Sequence, residues 1–195
     1  MEATLPLETE EKALKEKAMK ALMWLGIVSI IMLFAGLTSG YVIRQMSGSW
    51  LHFELPSLFW LSTAIILTSS ATMNWAVMAA KQNQLQKLKI AIGITFLLGI
   101  AFTFSQFAAW HILIANNIFF TGVKSNAAGS FLYVLTGLHL LHLIGGLICL
   151  IVVLTKSLLN RYSAENMLGL KLCAIYWHFL DALWVYLFLF LYFIR

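Results

Sequence analysis

Two pairs of ionisable residues lie one helical turn apart inside apolar stretches of the chain. His178 and Asp181 form one pair, and His139 and His142 form the other. At i,i+3 spacing on a helix the two side chains share a face, where an imidazole N–H can bond a carboxylate. Imidazoles are also ligands for haem iron and other metals. The pairs are therefore candidates for a proton relay, a ligand set or a buried hydrogen-bonded contact between helices.

Two hypotheses stay open for these residues. A b-type haem between two helices needs one histidine from each at similar depth, and His142 and His178 would lie about 20 Å and 15 Å from one membrane edge. A metal site would need a third ligand, for which Asp181 is the candidate. The other hypothesis is a buried polar network without a cofactor or metal, which packs the subunit through His139, His142, His178, Asp181, Trp177 and Trp184.

The composition excludes most other classes of protein. The 195 residues are 61% hydrophobic and 11% charged, with a mean hydropathy of +0.86. Soluble domains average about 45–50% apolar and about 25% charged residues. A soluble enzyme, a disordered chain and a disulfide scaffold are therefore excluded. The apolar runs are unbroken over about 20 residues, which favours membrane helices over barrel strands.

Five apolar segments predict an all-α polytopic membrane protein, a bundle of five transmembrane helices. Residues 1–20 precede them as a charged amphipathic leader, and residues 21–195 form the membrane domain. The connections are short, so we expect sequential helices to be antiparallel neighbours. The spans are predicted at residues 21–43, 57–80, 90–114, 127–155 and 168–194.

The distribution of Lys and Arg predicts the orientation in the membrane. One side has ten of them and the other has three, which places the N-terminus in the cytoplasm and the C-terminus outside. The basic residues lie in short loops, so the net charge of +5 does not indicate a nucleic-acid site. The first side holds Lys12, Lys15, Lys17, Lys20, Lys81, Lys87, Lys89, Lys156, Arg161 and Lys171; the second holds Arg44, Lys124 and Arg195.

Several small and polar residues within the spans predict contacts between helices. Gln106, Asn74 and the Thr68-Ser69-Ser70 run are candidates for interhelical hydrogen bonds. Gly36 with Gly40, and Gly145 with Gly146, are candidates for close backbone approach. Both prolines, Pro6 and Pro56, fall outside the spans. A transporter with broken helices is therefore disfavoured.

The last two segments carry motifs that resemble a known family. Tyr176-Trp-His-Phe-Leu-Asp-Ala-Leu-Trp184 resembles the C-terminal helix of haem-copper oxidase subunit III. Gly137-x-His139-x-x-His142-x-x-x-Gly146 is similar to the preceding helix of that family. Weaker agreement is found at Phe53-Glu54-Leu55-Pro56 and around Ser29. The similarity covers nearly the whole chain and matches the five-helix bacterial form.

The resemblance implies a subunit of a respiratory terminal oxidase in the bacterial inner membrane. Such an oxidase reduces oxygen and pumps protons. It implies no cofactor on this chain, because haem and copper belong to subunits I and II in that family. It further implies direct packing on subunit I and bound phospholipid, and it leaves membership of a larger respiratory supercomplex open. The electron donor is cytochrome c or, alternatively, a quinol.

The chain departs from the family pattern at two positions. The family usually has an acidic residue where Ile30 stands and often has a glutamate where Ala109 stands. Both buried carboxylates are missing, which weakens the expectation of a proton-uptake role. Packing and lipid roles do not depend on these carboxylates.

Overall fold

The chain folds into five long helices. The computed structural model describes residues 4–46, 48, 50, 51, 53–123, 125–160, 162 and 167–194, with only the backbone at 4–9 and 12. The described part contains no strand. The helices are α1 (Thr4–Met46), α2 (Leu58–Lys81), α3 (Leu85–Ala115), α4 (Ala127–Leu158) and α5 (Leu168–Phe193). Each is long and apolar enough to cross a membrane, which confirms the predicted all-α polytopic bundle.

The predicted leader and first span form one continuous helix. The 43 residues of α1 would extend about 65 Å, roughly twice the hydrocarbon thickness. No glycine or proline interrupts the chain between Leu7 and Leu25, and Pro6 lies in the first turn, where proline is tolerated. The stretch with spanning character is Ala13–Met46, which leaves the first residues of the helix outside it.

Asparagines end three of the helices. Asn83, Asn117 and Asn160 follow α2, α3 and α4, with φ of 55°, 61° and 54°. Asparagine tolerates this left-handed conformation, which ends a helix and turns the chain. Each asparagine turns the chain away from its helix, and α2, α3, α4 and α5 pack against their sequence neighbours.

Helices α2, α3, α4 and α5 close into a ring, and α1 packs outside it. Each ring helix contacts its sequence neighbour, and α2 also contacts α5. Their alternating directions place the ends of α2 and α4 beside the starts of α3 and α5. We call this end of the bundle the lysine end, because Lys81, Lys87, Lys89, Lys156 and Lys171 lie on its helix termini.

The expectation that all sequential helices are neighbours is wrong for α1 and α2. The two helices make no contact in the described part of the chain; α1 lies against α4 and α5 instead. The connection of residues 47–57 could span about 36 Å when extended, several times the diameter of a helix of about 10 Å. A short connection therefore does not force adjacency when it can cross the end of another helix.

Two hydroxyl pairs set the register of α2 against α3. Ser62 and Ser105 lie 2.8 Å apart at one level, and Thr72 and Thr95 lie 2.8 Å apart at another. Ten residues separate the partners on each helix in opposite directions, as antiparallel packing requires. Hydrogen bonds between helices in a membrane contribute about 0.6 kcal/mol each on average.

Two glycines make room for the indole of Trp177 in the centre of the ring. A Cβ at Gly99 on α3 would stand 2.8 Å from that indole, and a Cβ at Gly146 on α4 would stand 3.1 Å from it. Trp177 is fully buried, so its indole is enclosed by protein on every side. The side chain is therefore held in a slot that exists only because both positions lack a Cβ.

We predict that Gly99→Val destabilises the bundle by about 1–3 kcal/mol, the usual cost of overpacking a core. Gly93→Val is the matched control: it lies on the same helix, and nothing stands within 4 Å of its Cβ position. The measurement is the free energy of unfolding of each purified variant in detergent. Equal losses for the two variants would show that the slot is not tightly packed.

Candidate functional site

Two tryptophan indoles bond α5 to α2 inside the ring. Trp177 Nε1 donates to Ser69 Oγ at 2.7 Å, and Trp184 Nε1 donates to Thr63 Oγ1 at 3.1 Å. Trp177 and Trp184 are fully buried, and the two hydroxyl groups lie on buried residues. Each indole thus places its apolar body in the core and satisfies its single donor on the neighbouring helix. We call these two contacts the indole pairs.

Trp184 also organises the aromatic core. Its indole stacks on Phe59 of α2 with an interplanar angle of 6° and a centroid distance of 5.8 Å. Phe102 of α3 meets it edge-on at 4.8 Å. The imidazole of His139 on α4 lies 5.2 Å away. One side chain of α5 therefore contacts all three other helices of the ring.

His139 is an aromatic core residue in this fold. It is 0% exposed and lies between Trp184 and Phe102, whose ring centroid is 5.9 Å away. Neither of its ring nitrogens has a hydrogen-bond partner among the described residues, and the same is true of the amide of Gln106. Unpaired polar groups in an apolar interior are costly. His139 therefore contributes ring packing rather than a hydrogen bond.

Gln106 lies at the same level of the α3–α4 interface as His139. Two contacts bracket it: Trp110 donates to Thr136 at 3.1 Å on one side, and Phe102 meets His139 on the other. These contacts lie one turn before and one turn after Gln106 on α3. The predicted interhelical residue Gln106 is thus buried between α3 and α4.

His178 and Asp181 face α2, as a pair. His178 Nδ1 lies 2.7 Å from Ser70 Oγ and 3.9 Å from Asp181 Oδ2. Neither carboxylate oxygen of Asp181 has a hydrogen-bond partner among the described residues. Asp181 is buried and His178 is partly exposed. The pair therefore sits at the edge of the α2–α5 interface, with one serine between the helices.

His142 lies apart from this pair. Its Nδ1 is 2.7 Å from the carbonyl oxygen of Leu138 in its own helix, and its ring is 5.9 Å from Phe34 of α1. Tyr176 donates from α5 to the His142 carbonyl at 3.2 Å. Tyr176 and His178 are two positions apart, about 200° around the helix. His178 therefore points away from the side of α5 that faces His142.

The structure thus places the six predicted network residues in three locations. Trp177, Trp184 and His139 lie in the ring core; His178 and Asp181 lie between α2 and α5; His142 faces α1. This placement does not fit a haem held between His142 and His178. In the described residues, no three His, Cys, Asp or Glu side chains form a group that could hold a metal ion.

The predicted small-residue contacts differ in their surroundings. Gly146 adjoins Trp177, and a Cβ at Gly145 would meet the Tyr176 hydroxyl at 3.7 Å. A Cβ at Gly40 would meet Phe131 at 3.8 Å, whereas nothing lies within 4 Å of a Cβ at Gly36. Asn74 is exposed, and it lines a groove with His178. The departures from the family pattern are apolar positions in the packing: Ala109 is fully buried and Ile30 is half-buried.

The α2 hydroxyls are the part of the site that the sequence only partly indicates. The Thr68-Ser69-Ser70 run is a predicted source of hydrogen bonds, and Ser69 and Ser70 do bond α5. Thr68 instead donates to Ala64 of its own helix at 2.8 Å, and Thr63 is missed. Ser62 and Ser69 are seven residues apart, and so are Thr63 and Ser70. This repeat could have indicated that these hydroxyl groups lie along one side of α2.

The fold and this site define a class: a multi-pass α-helical membrane protein whose ring is held by tryptophan and serine or threonine contacts. Comparison with known proteins gives the family. The sequence pattern of cytochrome c oxidase subunit III matches residues 2–195, and this chain belongs to that family. The resemblance seen in the motifs is confirmed, and family membership makes the chain a subunit of a haem-copper oxidase complex.

Curated relatives are similar over most of the chain. A probable cytochrome c oxidase subunit 3 of Nocardia farcinica is 32% identical over 184 residues, covering 89% of this chain and 86% of its own. A cytochrome bo(3) ubiquinol oxidase subunit 3 of Pseudomonas aeruginosa is 31% identical, covering 85% and 79%. A cytochrome c oxidase subunit 3 of Myxine glutinosa is 34% identical over 72% of this chain and 50% of its own.

We predict that Ser70 and His178 couple energetically across the α2–α5 interface. A double-mutant cycle with Ser70→Ala and His178→Leu should give a coupling free energy of about 0.6 kcal/mol, the average for such bonds in membranes, with an upper limit of about 1.7 kcal/mol. The quantity measured is the unfolding free energy in detergent. Thr68→Ala is the control, since its hydroxyl bonds only its own helix. A coupling free energy between Thr68 and His178 as large as that between Ser70 and His178 would contradict the assigned Ser70–His178 contact.

Proposed function

We propose that this chain is an accessory, cofactor-free subunit III of a respiratory haem-copper oxidase. It packs on subunit I and, together with subunit II, belongs to a complex that couples oxygen reduction to proton pumping in the bacterial inner membrane. The observation that carries this proposal is the use of the family motif in α5. Trp177 and Trp184 donate hydrogen bonds to α2, and His178, which lies beside Asp181, contacts Ser70 of α2. The residues of this motif therefore make contacts that hold the helices of the bundle together.

The electron donor of the complex is proposed to be cytochrome c, with a quinol as the alternative. The relatives include proteins named for each donor. The cytochrome c oxidase relative and the ubiquinol oxidase relative have nearly the same sequence identity to this chain. Because family membership covers both donors, the donor belongs to the partner subunits rather than to residues of this bundle.

The proposed orientation has the N-terminus in the cytoplasm and the C-terminus outside. Positive charge at cytoplasmic loops supports it, since the helix termini at the lysine end carry the basic residues. Several positions in the original count lie outside the described residues: the side chain of Lys12, and Lys124, Arg161 and Arg195. Membrane lipid is a proposed further partner, because large apolar side chains cover much of the outer face.

We predict that haem separates from this chain when its partners are removed. A tag on the N-terminus of the chain, followed by mild-detergent purification, should recover a larger haem-bearing subunit. A reduced-minus-oxidised spectrum before and after stripping the partners locates the haem. Haem bands that remain on the isolated 22.0 kDa chain would contradict the proposal and support the haem anchor. His142→Ala would then test the first ligand.

We predict that Asp181→Ala lowers the yield of assembled complex more than it lowers turnover per complex. The change removes the carboxylate that lies 3.9 Å from His178 Nδ1, and a buried polar group that loses its partner costs about 1–3 kcal/mol of stability. Asp181→Asn is the matched control, because it keeps the shape and a hydrogen-bonding oxygen. Yield and oxygen consumption per haem are measured on the same preparations. Normal assembly with lost turnover would assign Asp181 a direct role in the reaction.

A further inference from the structure

A groove of about 290 Å³ runs along the outside of the ring between α2 and α5. It begins at the lysine end of the bundle, where Lys81 closes α2 and Lys171 lies in the first turn of α5. Val77, Ala174 and Ile175 line its walls further in. The groove thus combines two cationic side chains at its mouth with an apolar interior.

The two lysines carry charge without a protein counter-ion in the described part of the chain. Both side chains are exposed, and neither lysine forms an ion pair with another described residue. Two ammonium groups on one groove repel each other unless an anion lies between them. The mouth of the groove is therefore complementary to a negatively charged group.

The position of the groove in the bundle matches the pattern of an amphiphile. Lysines at the end of a spanning helix place their ammonium groups at the level of lipid headgroups. Val77 lies one turn inside Lys81, and Ala174 lies three residues inside Lys171, so the apolar walls start where acyl chains start. Asn74 lies seven residues, about 10 Å, below Lys81, and its exposed amide can donate a hydrogen bond to an ester oxygen.

We propose that this groove holds one anionic phospholipid. The phosphate lies between Lys81 and Lys171, and one acyl chain runs along Val77, Ala174 and Ile175. A phospholipid fits better than a helix of another subunit, because the groove combines two cationic groups at the headgroup level with apolar walls directly inside them. The inference rests on the proposed lipid role and deepens it by naming the site and the headgroup charge.

The test compares lipid retention in two charge-matched variants of the complete oxidase complex. Lys81→Gln with Lys171→Gln removes both charges at the groove but keeps most of each apolar stem. Lys87→Gln with Lys89→Gln removes two charges at the same end of the bundle, outside the groove. Each complex is washed with mild detergent, and its retained phosphatidylglycerol and phosphatidylethanolamine are counted by mass spectrometry.

The groove variant should retain one phosphatidylglycerol fewer per complex than the parent, with phosphatidylethanolamine unchanged. The control variant should retain as much as the parent. Equal phosphatidylglycerol in all three complexes overturns the proposal. A second experiment places a photo-cross-linking residue at position 74 in place of Asn74. If it labels a polypeptide and no lipid, the occupant of the groove is a partner chain and the proposal is also overturned. Co-purification of the haem-bearing subunit is scored separately, so a failed lipid site and a failed oxidase assignment give different results.

Discussion

The closure of the four-helix ring depends on hydrogen bonds from α5 to hydroxyl side chains of α2. In a hydrocarbon environment a buried indole N–H must find its partner within the protein. Trp177 and Trp184 find theirs at Ser69 and Thr63, and this fixes both the register and the antiparallel direction of the two helices. Since α2 and α5 are the first and last helices of the ring, their contact is the one that closes it.

The remaining packing accommodates these two tryptophans. Gly99 and Gly146 leave the space that the indole of Trp177 fills, while Phe59, Phe102 and His139 surround Trp184. The two indole N–H groups and their hydroxyl partners are thus committed to contacts within the bundle. Large apolar side chains remain on its outer faces, as expected of a multi-pass membrane subunit.

Much of the fold follows from the sequence, because the length and hydropathy of a spanning helix are local properties. The start of α4 at Ala127 and of α5 at Leu168 coincide with the predicted spans. The position of α1 could not be predicted in the same way. Its place beside α4 and α5 depends on contacts such as Tyr186 with Thr38, which join residues 148 positions apart.

The site shows the same division between local and long-range information. Spacing alone indicated that His178 and Asp181 share a face, and they do lie as a pair. Spacing also suggested that His139 and His142 act together, but α3 and α5 surround one ring while α1 meets the other. The identity of the α2 partners could not be obtained from one helix, because a hydrogen bond across a bundle depends on relative rotation and register.

The most direct test of this account is oxygen consumption per assembled complex after both indole partners are removed by Ser69→Ala and Thr63→Val. The account predicts that fewer complexes assemble and that each survivor turns over at the parent rate, because the indole pairs hold the bundle and do no chemistry. Full assembly with turnover lost in every complex would contradict it, and would place this helix interface in the reaction itself.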